Sequence, residues 1–400
     1  MPKAFENITV VDFSQVLAGP FATQQLAFLG ANVIKVEPPG KGEGGRHIRA
    51  TADMSPENMS SVFLCVNAGK RSMTLDLKHP RAAEVVRRLV SQADVVVQNF
   101  KVGVIDRLGF GYEAVRAINE SIVYCSISGY GQEGPNATAA AYDPAVQGAS
   151  GLMQLIGTPD SGPLRTGFPL VDMSTGLTAA IAIMGALYRR RETGDGQFLD
   201  VAMMDSAMSL AAYPYMQFQQ TGQEPERLGN GSQLRIPTAD VLETGDGHIQ
   251  ITALTDRQIQ ALVETVGLPD LLADERFSTA EVRTEHSEDM RALLLQAFAS
   301  KSAREWESEL AAAGVPASAV LRLPEALVHE QQQHRNFLQM TQPQGIAEPI
   351  RVFNAAYGAT VDGPEIQRPP PAVGEHTNEV LAEFGFSQGE VDGLRADNAL

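Results

Sequence analysis

ITVVDFSQVLAGPFATQQLAFLGANVIKVE, running from Ile8 to Glu37, contains a complete strand–helix–strand unit. Residues 8–13 are apolar and β-branched, which suits a strand buried on both faces. Residues 20–28 read as a helix, with Pro20 in its first turn and Gly30 just past its end. Residues 33–36 supply a second strand. A short strand, a helix and a short strand make a right-handed βαβ unit of a parallel sheet. The alternation continues with a helix over 80–91, a strand over 94–98, a helix over 103–118 and a strand over 122–126. The first third of the chain is therefore expected to be a doubly wound α/β domain.

Beyond it the pattern changes. Residues 128–167 are rich in Gly, Ala and Ser and carry the turn signals Gly134-Pro135, Gly157-Thr158-Pro159 and Ser161-Gly162-Pro163. Irregular segments of this kind surround ligands when a rigid scaffold positions them. A long apolar helix is expected over 174–191, closing at Gly194; its apolar run, 177–187, is too short to span a bilayer. A strand over 198–202 and a helix from about Ser206 follow. The polar stretch 219–237, with Gly229-Asn230-Gly231, reads as a crossing between domains. Two strands over 238–253 flank Gly245-Asp246-Gly247, a hairpin signal. Thr255-x-x-Gln258, Ser302-x-x-Glu305 and Ser387-x-x-Glu390 match the capping box that opens a helix. A smaller α+β domain is expected in this middle segment.

Composition limits the function. The 400 residues hold 31 Lys+Arg against 48 Asp+Glu, a net charge of −17, which disfavours nucleic acid and anionic membrane as partners. With 44% hydrophobic residues the chain can bury a large core. Cys65 and Cys125 make no disulfide framework, and no C-x-x-C pair is present. The seven histidines show no metal-ligand spacing, so no metal is expected. The first residues lack a signal-peptide pattern, and a cytoplasmic location is expected.

Gly40-x-Gly42-x-x-Gly45 matches the dinucleotide fingerprint in letters only. Pro38-Pro39 separate it from the strand, and no helix pattern opens behind it to receive a pyrophosphate. Basic residues recur after strands: Lys35, Lys70-Arg71, Lys101 and Arg107. Each alone is ordinary solvated charge. Together, at the carboxyl ends of parallel strands of an acidic protein, they point to a ligand carrying phosphates, with Asn67 and Asn99 beside them. Asp172 stands at the start of the long apolar helix, where the helix dipole favours an ionised carboxylate; from local sequence alone the favoured reading is a helix cap. Asp143, Asp200 and Asp205 are rivals by the same logic, and local physics does not choose among them.

Several motifs converge on one family. They include Val16-Leu-Ala-Gly-Pro20, Leu29-Gly-Ala-Asn-Val-Ile-Lys-Val-Glu37, Asn67-Ala-Gly-Lys-Arg71, Asp106-Arg-Leu-Gly-Phe110, Tyr142-Asp-Pro144, Val171-Asp-Met-Ser-Thr-Gly176 and Gly374-Glu-His-Thr377. Running in order over nearly the whole chain, they resemble the family III CoA-transferases, a group that also includes α-methylacyl-CoA racemases. The resemblance implies that Asp172 is a nucleophile that forms a mixed anhydride and then an aspartyl-CoA thioester. It implies CoA or substrate contacts at Val16, Leu17, Ala18, Lys70, Arg71, Asn99, Lys101, Arg107 and Tyr142, with Asp143 as an acid beside the nucleophile. CoA enters as the acyl-CoA co-substrate, a carboxylic acid is its acceptor, and no cofactor or metal is bound permanently. The implied architecture is a Rossmann-like large α/β domain over 1–224 plus 326–400 and a small α+β domain over 225–325, in an interlocked homodimer.

Three departures bear on the acceptor. Leu17 stands where formyl-CoA transferases have glutamine, Pro38 replaces a CoA-binding arginine, and their run of glycines is reduced to Leu228-Gly-Asn-Gly-Ser232. These differences argue against oxalate. Arg46, Arg49 and Arg235 are the candidate contacts for a free carboxylate on the acceptor. The racemase alternative needs a histidine where this chain reads Ala141-Tyr142-Asp143, so two-base proton exchange lacks a partner near neutral pKa. A non-catalytic acyl-CoA-binding protein is the remaining alternative, and the retained Asp172 counts against it.

Overall fold

The computed structural model describes residues 2–48, 59–232 and 236–400. Two compact units divide the chain: 1–152 with 165–212 and 330–400, and 153–164 with 213–329. The smaller unit thus takes in 153–164 as well as 213–224. Gly229 N–H donates to the Gly157 carbonyl at 2.7 Å, tying a short hairpin turn to the segment that the glycines of 229–231 open.

The larger unit is built on β1 (Thr9–Asp12), α1 (Ala18–Phe28), β2 (Asn32–Glu37), β3 (Arg71–Thr74), α2 (Ala82–Gln92) and β4 (Val95–Gln98). It continues with α3 (Val104–Arg107), α4 (Tyr112–Arg116), β5 (Val123–Ser128), α5 (Asp143–Ala149), α6 (Leu170–Thr193), β6 (Gln197–Ala202) and α7 (Met203–Leu210). The six strands form one sheet in the order β3-β2-β1-β4-β5-β6, all parallel. Side chains alternate between its faces, as strand geometry requires. Val11, Ile34, Val96 and Tyr124 enter one buried cluster, with α2; their neighbours Val10, Val33, Val95 and Val123 enter the other, with α1 and α6. Both faces are covered, which is why the strands read as unbroken apolar runs. The order reverses between β1 and β4, and a crevice opens there at the carboxyl ends of the strands.

Three elements differ from the sequence reading. The helix expected over 103–118 is two short ones, because Gly109 adopts a positive φ of 84° between them. β3 was not anticipated. Its polar residues Arg71 and Ser72 are buried because the C-terminal segment covers this edge, where His376 N–H donates to the Ser72 carbonyl at 2.9 Å. α6 has 24 residues and begins at Leu170, placing Asp172 inside its first turn; it closes, as expected, on a left-handed Gly194. By length and composition α6 is able to cross a membrane, contrary to the reading of its apolar run. In this fold it packs along α1, with Ala18 O only 2.7 Å from where a Gly176 Cβ would stand, and buries Ala179, Ile183 and Ala186 in the core.

The smaller unit carries β7 (Ala239–Glu243), β8 (His248–Thr252), α8 (Asp256–Thr265), α9 (Ser287–Phe298), α10 (Ala303–Ala312) and β9 (Ala317–Ala319). Its antiparallel sheet has the order β9-β8-β7, with the hairpin at the Gly245-Asp246-Gly247 turn. Trp306 is buried in its core and donates from Nε1 to the Phe298 carbonyl at 2.8 Å. Back in the larger unit, α11 (Thr377–Glu383) and α12 (Gln388–Ala396) place Val380, Leu381, Val391 and Leu394 in the first sheet cluster. All three capping boxes form, at Thr255, Ser302 and Ser387.

Candidate active site

A cleft of about 370 Å³ lies at the β1/β4 reversal. The β1–α1 loop supplies Gln15, Val16, Leu17 and Ala18, and the segment after β4 supplies Asn99, Phe100 and Lys101. The irregular segment after β5 contributes Ala137, residues 139–141 and Tyr142, and α6 contributes Asp172. Six of the anticipated contact positions (Val16, Leu17, Ala18, Asn99, Lys101 and Tyr142) are therefore brought together with Asp172. No acceptor among the described residues takes the N–H of Ala18 or Gly19 in the first turn of α1, and Ala18 lines the cleft.

The helix that carries Asp172 is capped by a different acid. Asp143 Oδ2 accepts from Val171 N at 2.7 Å and from Asp172 N at 3.0 Å, while its Oδ1 accepts from Gln147 Nε2 at 2.5 Å. Gln147 in turn accepts from Thr166 N at 3.0 Å through Oε1. Asp172 is thus neither the cap nor hydrogen-bonded through its carboxylate to any described residue. Burial pushes its carboxyl up and the negative charge of Asp143 adds to this, raising it to about 7. The expectation that the helix dipole would hold it low fails for a physical reason: the N–H groups that make the positive end already donate to Asp143, whose charge offsets them.

This raised pKa has a stability consequence. Because the folded value lies above the unfolded one of about 3.8, the folded protein favours the protonated acid. Stability is lost as pH rises from about 4 to about 7 and stays low above that. Asp172→Asn is expected to be more stable than the natural chain at pH 8, by about 2 kcal/mol after discounting for partial exposure. The advantage should shrink toward zero near pH 4, and thermal melts at the two pH values check it.

Three basic candidates are engaged elsewhere. Lys70 is fully buried. Its ammonium donates to Asp12 Oδ2 at 3.1 Å, the Pro20 carbonyl at 2.8 Å and Asn67 Oδ1 at 2.9 Å, leaving no proton for a phosphate. Arg71 joins β3 to α11, donating from Nη1 to Glu379 at 2.8 Å and Glu383 at 2.7 Å and from Nε and Nη2 to Asn32. Arg46 is buried in a two-bond pair with Glu37, both at 2.7 Å, its guanidinium 3.5 Å from the centre of the Phe63 ring. It cannot reach an acceptor carboxylate; Arg49 and Arg235 lie outside the described residues. Arg107 is exposed on α3 and is not part of the cleft lining, which leaves Lys101 as the one cation among the described lining residues. Tyr142 is 76% exposed.

The sequence reading missed what lies beneath the cleft. Asp12, Glu37 and Glu43 with Lys35, Arg46 and Lys70 form a buried group of three acids and three bases. Burial pushes Asp12 up, but Lys70, Lys35, Ser14 and Thr23 outweigh it and leave the carboxyl at about 2. The available signal was Lys35 between Ile34 and Val36, a charge inside an otherwise apolar strand. A larger cavity, about 680 Å³, belongs to the smaller unit and holds none of the anticipated residues; its Arg291 is paired with Asp240 at 2.7 Å.

A carboxylate with no hydrogen-bond partner among the described residues thus lies in the switch-point crevice of a Rossmann-type sheet, in a cleft that the first turn of α1 also lines. Comparison with known proteins supplies the class: the chain belongs to CoA-transferase family III, whose model matches residues 5–377. The succinate–glutarate CoA-transferase of Agrobacterium fabrum is 35% identical over 390 residues, 94% of this chain and 95% of that one. The acetyl-CoA:oxalate CoA-transferase of Acetobacter aceti is 38% identical over 339 residues, 84% of this chain and 86% of that one. A crystal structure of a CAIB/BAIF family protein from Brucella suis superposes with a TM-score of 0.87 at 34% identity, covering 96% of this chain and all of that one. The protein is an enzyme of the CoA-transferase type.

Proposed function

We propose that the enzyme moves CoA from an acyl-CoA to a short dicarboxylic acid, with Asp172 as the covalent nucleophile. The observation that carries this reading is the Asp172 carboxylate, lining the cleft with no hydrogen bond from any described residue to occupy its lone pairs and with a pKa raised to about 7. Such an oxygen is poorly stabilised as an ion, and so is more nucleophilic than an ordinary surface carboxylate. It attacks the thioester carbonyl; the new C–O bond forms as C–S breaks, and CoA leaves as thiolate. The thiolate attacks the Asp172 carbonyl carbon, expelling the donor acid as carboxylate and leaving an aspartyl-CoA thioester. The acceptor carboxylate attacks that thioester carbonyl, expelling CoA thiolate and forming a second mixed anhydride; the thiolate then attacks the acceptor's carbonyl carbon, giving the new acyl-CoA and freeing Asp172 as carboxylate. One thioester replaces another, so no ATP, metal or resident cofactor is required.

A dicarboxylate is favoured because both named relatives act on dicarboxylates and Lys101 offers a cation within the cleft lining. The racemase reading finds no histidine among the described lining residues. We also place the enzyme in the cytoplasm as a homodimer. The support for a partner is the solvent face of α6, where Leu177, Ile181 and Tyr188 are 48%, 66% and 71% exposed along one stripe.

The test is a panel of free mono- and dicarboxylic acids, oxalate included, offered with succinyl-CoA or acetyl-CoA and read by mass spectrometry of the thioester formed. Failure of every acid, with deuterium exchange at the α-carbon of a 2-methylacyl-CoA instead, would replace transfer by racemisation. Because attack needs ionised Asp172, kcat/KM is expected to rise with pH up to about 7 and then level off. Asp143→Asn removes the neighbouring charge, so its acid limb should move to lower pH, while burial keeps it above that of an ordinary aspartate. A limb that stays in place would remove Asp143 from this role.

A further inference from the structure

Val16 stands in the cleft wall with a φ of +67°, a left-handed conformation that a β-branched residue adopts only under constraint. The constraint is visible. Asn99 holds Gln15 by both main-chain groups, accepting from its N–H at 2.8 Å and donating to its carbonyl at 2.8 Å. Lys35 donates from Nζ to the Ser14 carbonyl at 2.8 Å. Glu43 Oε2 accepts from Val16 N at 3.0 Å, and from Gly45 N at 2.6 Å, so the carboxylate is itself fixed by the turn it begins. Its Oε1 accepts no hydrogen bond from a described residue and lies 3.5 Å from Lys35 Nζ. Glu43 is 2% exposed and Lys35 fully buried. One ion pair therefore grips the chain on both sides of Gln15, through Ser14 O and Val16 N.

The two side chains reach no cleft atom themselves, being absent from its lining. What they fix is the path into α1: Leu17 and Ala18 follow Val16 directly and present the first turn of that helix to the cleft. We propose that Glu43, paired with Lys35, is a positioning residue that holds Val16 left-handed and thereby shapes the CoA-binding wall of the cleft. The proposal rests on the reading of the cleft as the CoA site, which the family comparisons support without assigning any role to Glu43. It differs from a role in stability alone, because the group restrained is a strained backbone in the site and not a packing contact.

Glu43→Asp is the discriminating variant. It keeps the negative charge but withdraws the carboxylate oxygen from Val16 N, and from Gly45 N with it, by one methylene. Free CoA binding, measured by calorimetry on the full chain, is expected to weaken at least tenfold, with KM for acetyl-CoA rising in parallel and kcat changing less than threefold. Val16→Gly supplies the rescue, since glycine takes a φ of +67° without penalty. In the Val16→Gly background, Glu43→Asp should change CoA affinity by less than threefold. An equal loss in both backgrounds, or no loss in the first, overturns the proposal. Val16→Pro, whose ring locks φ near −65°, tests the conformation independently of how Glu43 variants fold. It should lose CoA binding more than tenfold, and native affinity in that variant also overturns the proposal. If the natural chain itself binds no CoA, the reading of the cleft fails instead, and the two failures are told apart by that control.

Discussion

Asp172→Ala is expected to lower CoA transfer by at least about 10³-fold while leaving the fold unchanged, because a covalent pathway has no substitute for its nucleophile. The fold should survive for a reason specific to this helix. The N–H groups at the start of α6 donate to Asp143, and the Asp172 carboxylate accepts no bond from any described residue, so its removal orphans nothing. At pH 8 the variant should melt no lower than the natural chain, since a disfavoured negative charge has gone. Turnover within tenfold of the natural enzyme would assign the chemistry to another acid. Asp200, one of the rivals the sequence left open, accepts from Gln132 N at 2.8 Å, and neither it nor Asp205 lines the cleft.

The second large effect concerns Lys70. Lys70→Met leaves Asp12 buried at the end of β1 without its 3.1 Å partner, with Lys35 as the remaining nearby cation. Removing one member of a buried pair typically costs about 3–5 kcal/mol, because the other charge stays in a medium that cannot solvate it. The urea midpoint should fall accordingly. Asp12→Leu combined with Lys70→Met should recover much of the loss, since the double variant buries no unpaired charge. Removal of an exposed pair such as Lys301–Glu309 should change stability by under about 1 kcal/mol. Had Lys70 been a phosphate ligand, Lys70→Met would raise KM for acyl-CoA and leave the urea midpoint in place. That pattern would contradict the assignment made here.

These two residues also show how far the chain could be read before its structure was known. Elements with local signatures were legible: the βαβ unit of residues 8–37 from its run of apolar patterns, and the Gly194 helix stop and the three capping boxes from residues within one turn of each other. The position of Asp172 at a helix start was legible too. Its electrostatics were not, because the decisive neighbour, Asp143, lies 29 residues earlier and acts through a cap that no local pattern announces. Lys70 and Arg46 failed in the same way. A lysine or arginine near a strand reads alike whether it meets a phosphate or a buried carboxylate: the Asp12 carboxylate lies 58 residues from Lys70, and that of Glu37, nine residues before Arg46, is brought back to it only by the turn between them. β3 was hidden because its burial depends on a C-terminal segment some 300 residues away, through bonds such as Thr74 N to Thr377 Oγ1 at 3.1 Å.

In the proposed pathway the Asp172 carboxylate carries CoA from donor to acceptor as an aspartyl thioester, with a mixed anhydride before and after it. Hydroxylamine added during turnover of succinyl-CoA cleaves an aspartyl thioester or anhydride and leaves an aspartyl hydroxamate, which peptide mass spectrometry locates. The hydroxamate is expected on Asp172 alone, only when acyl-CoA is present, and in proportion to enzyme lost. An unmodified Asp172 in enzyme that is transferring CoA, or a hydroxamate on another acid, would contradict the mechanism.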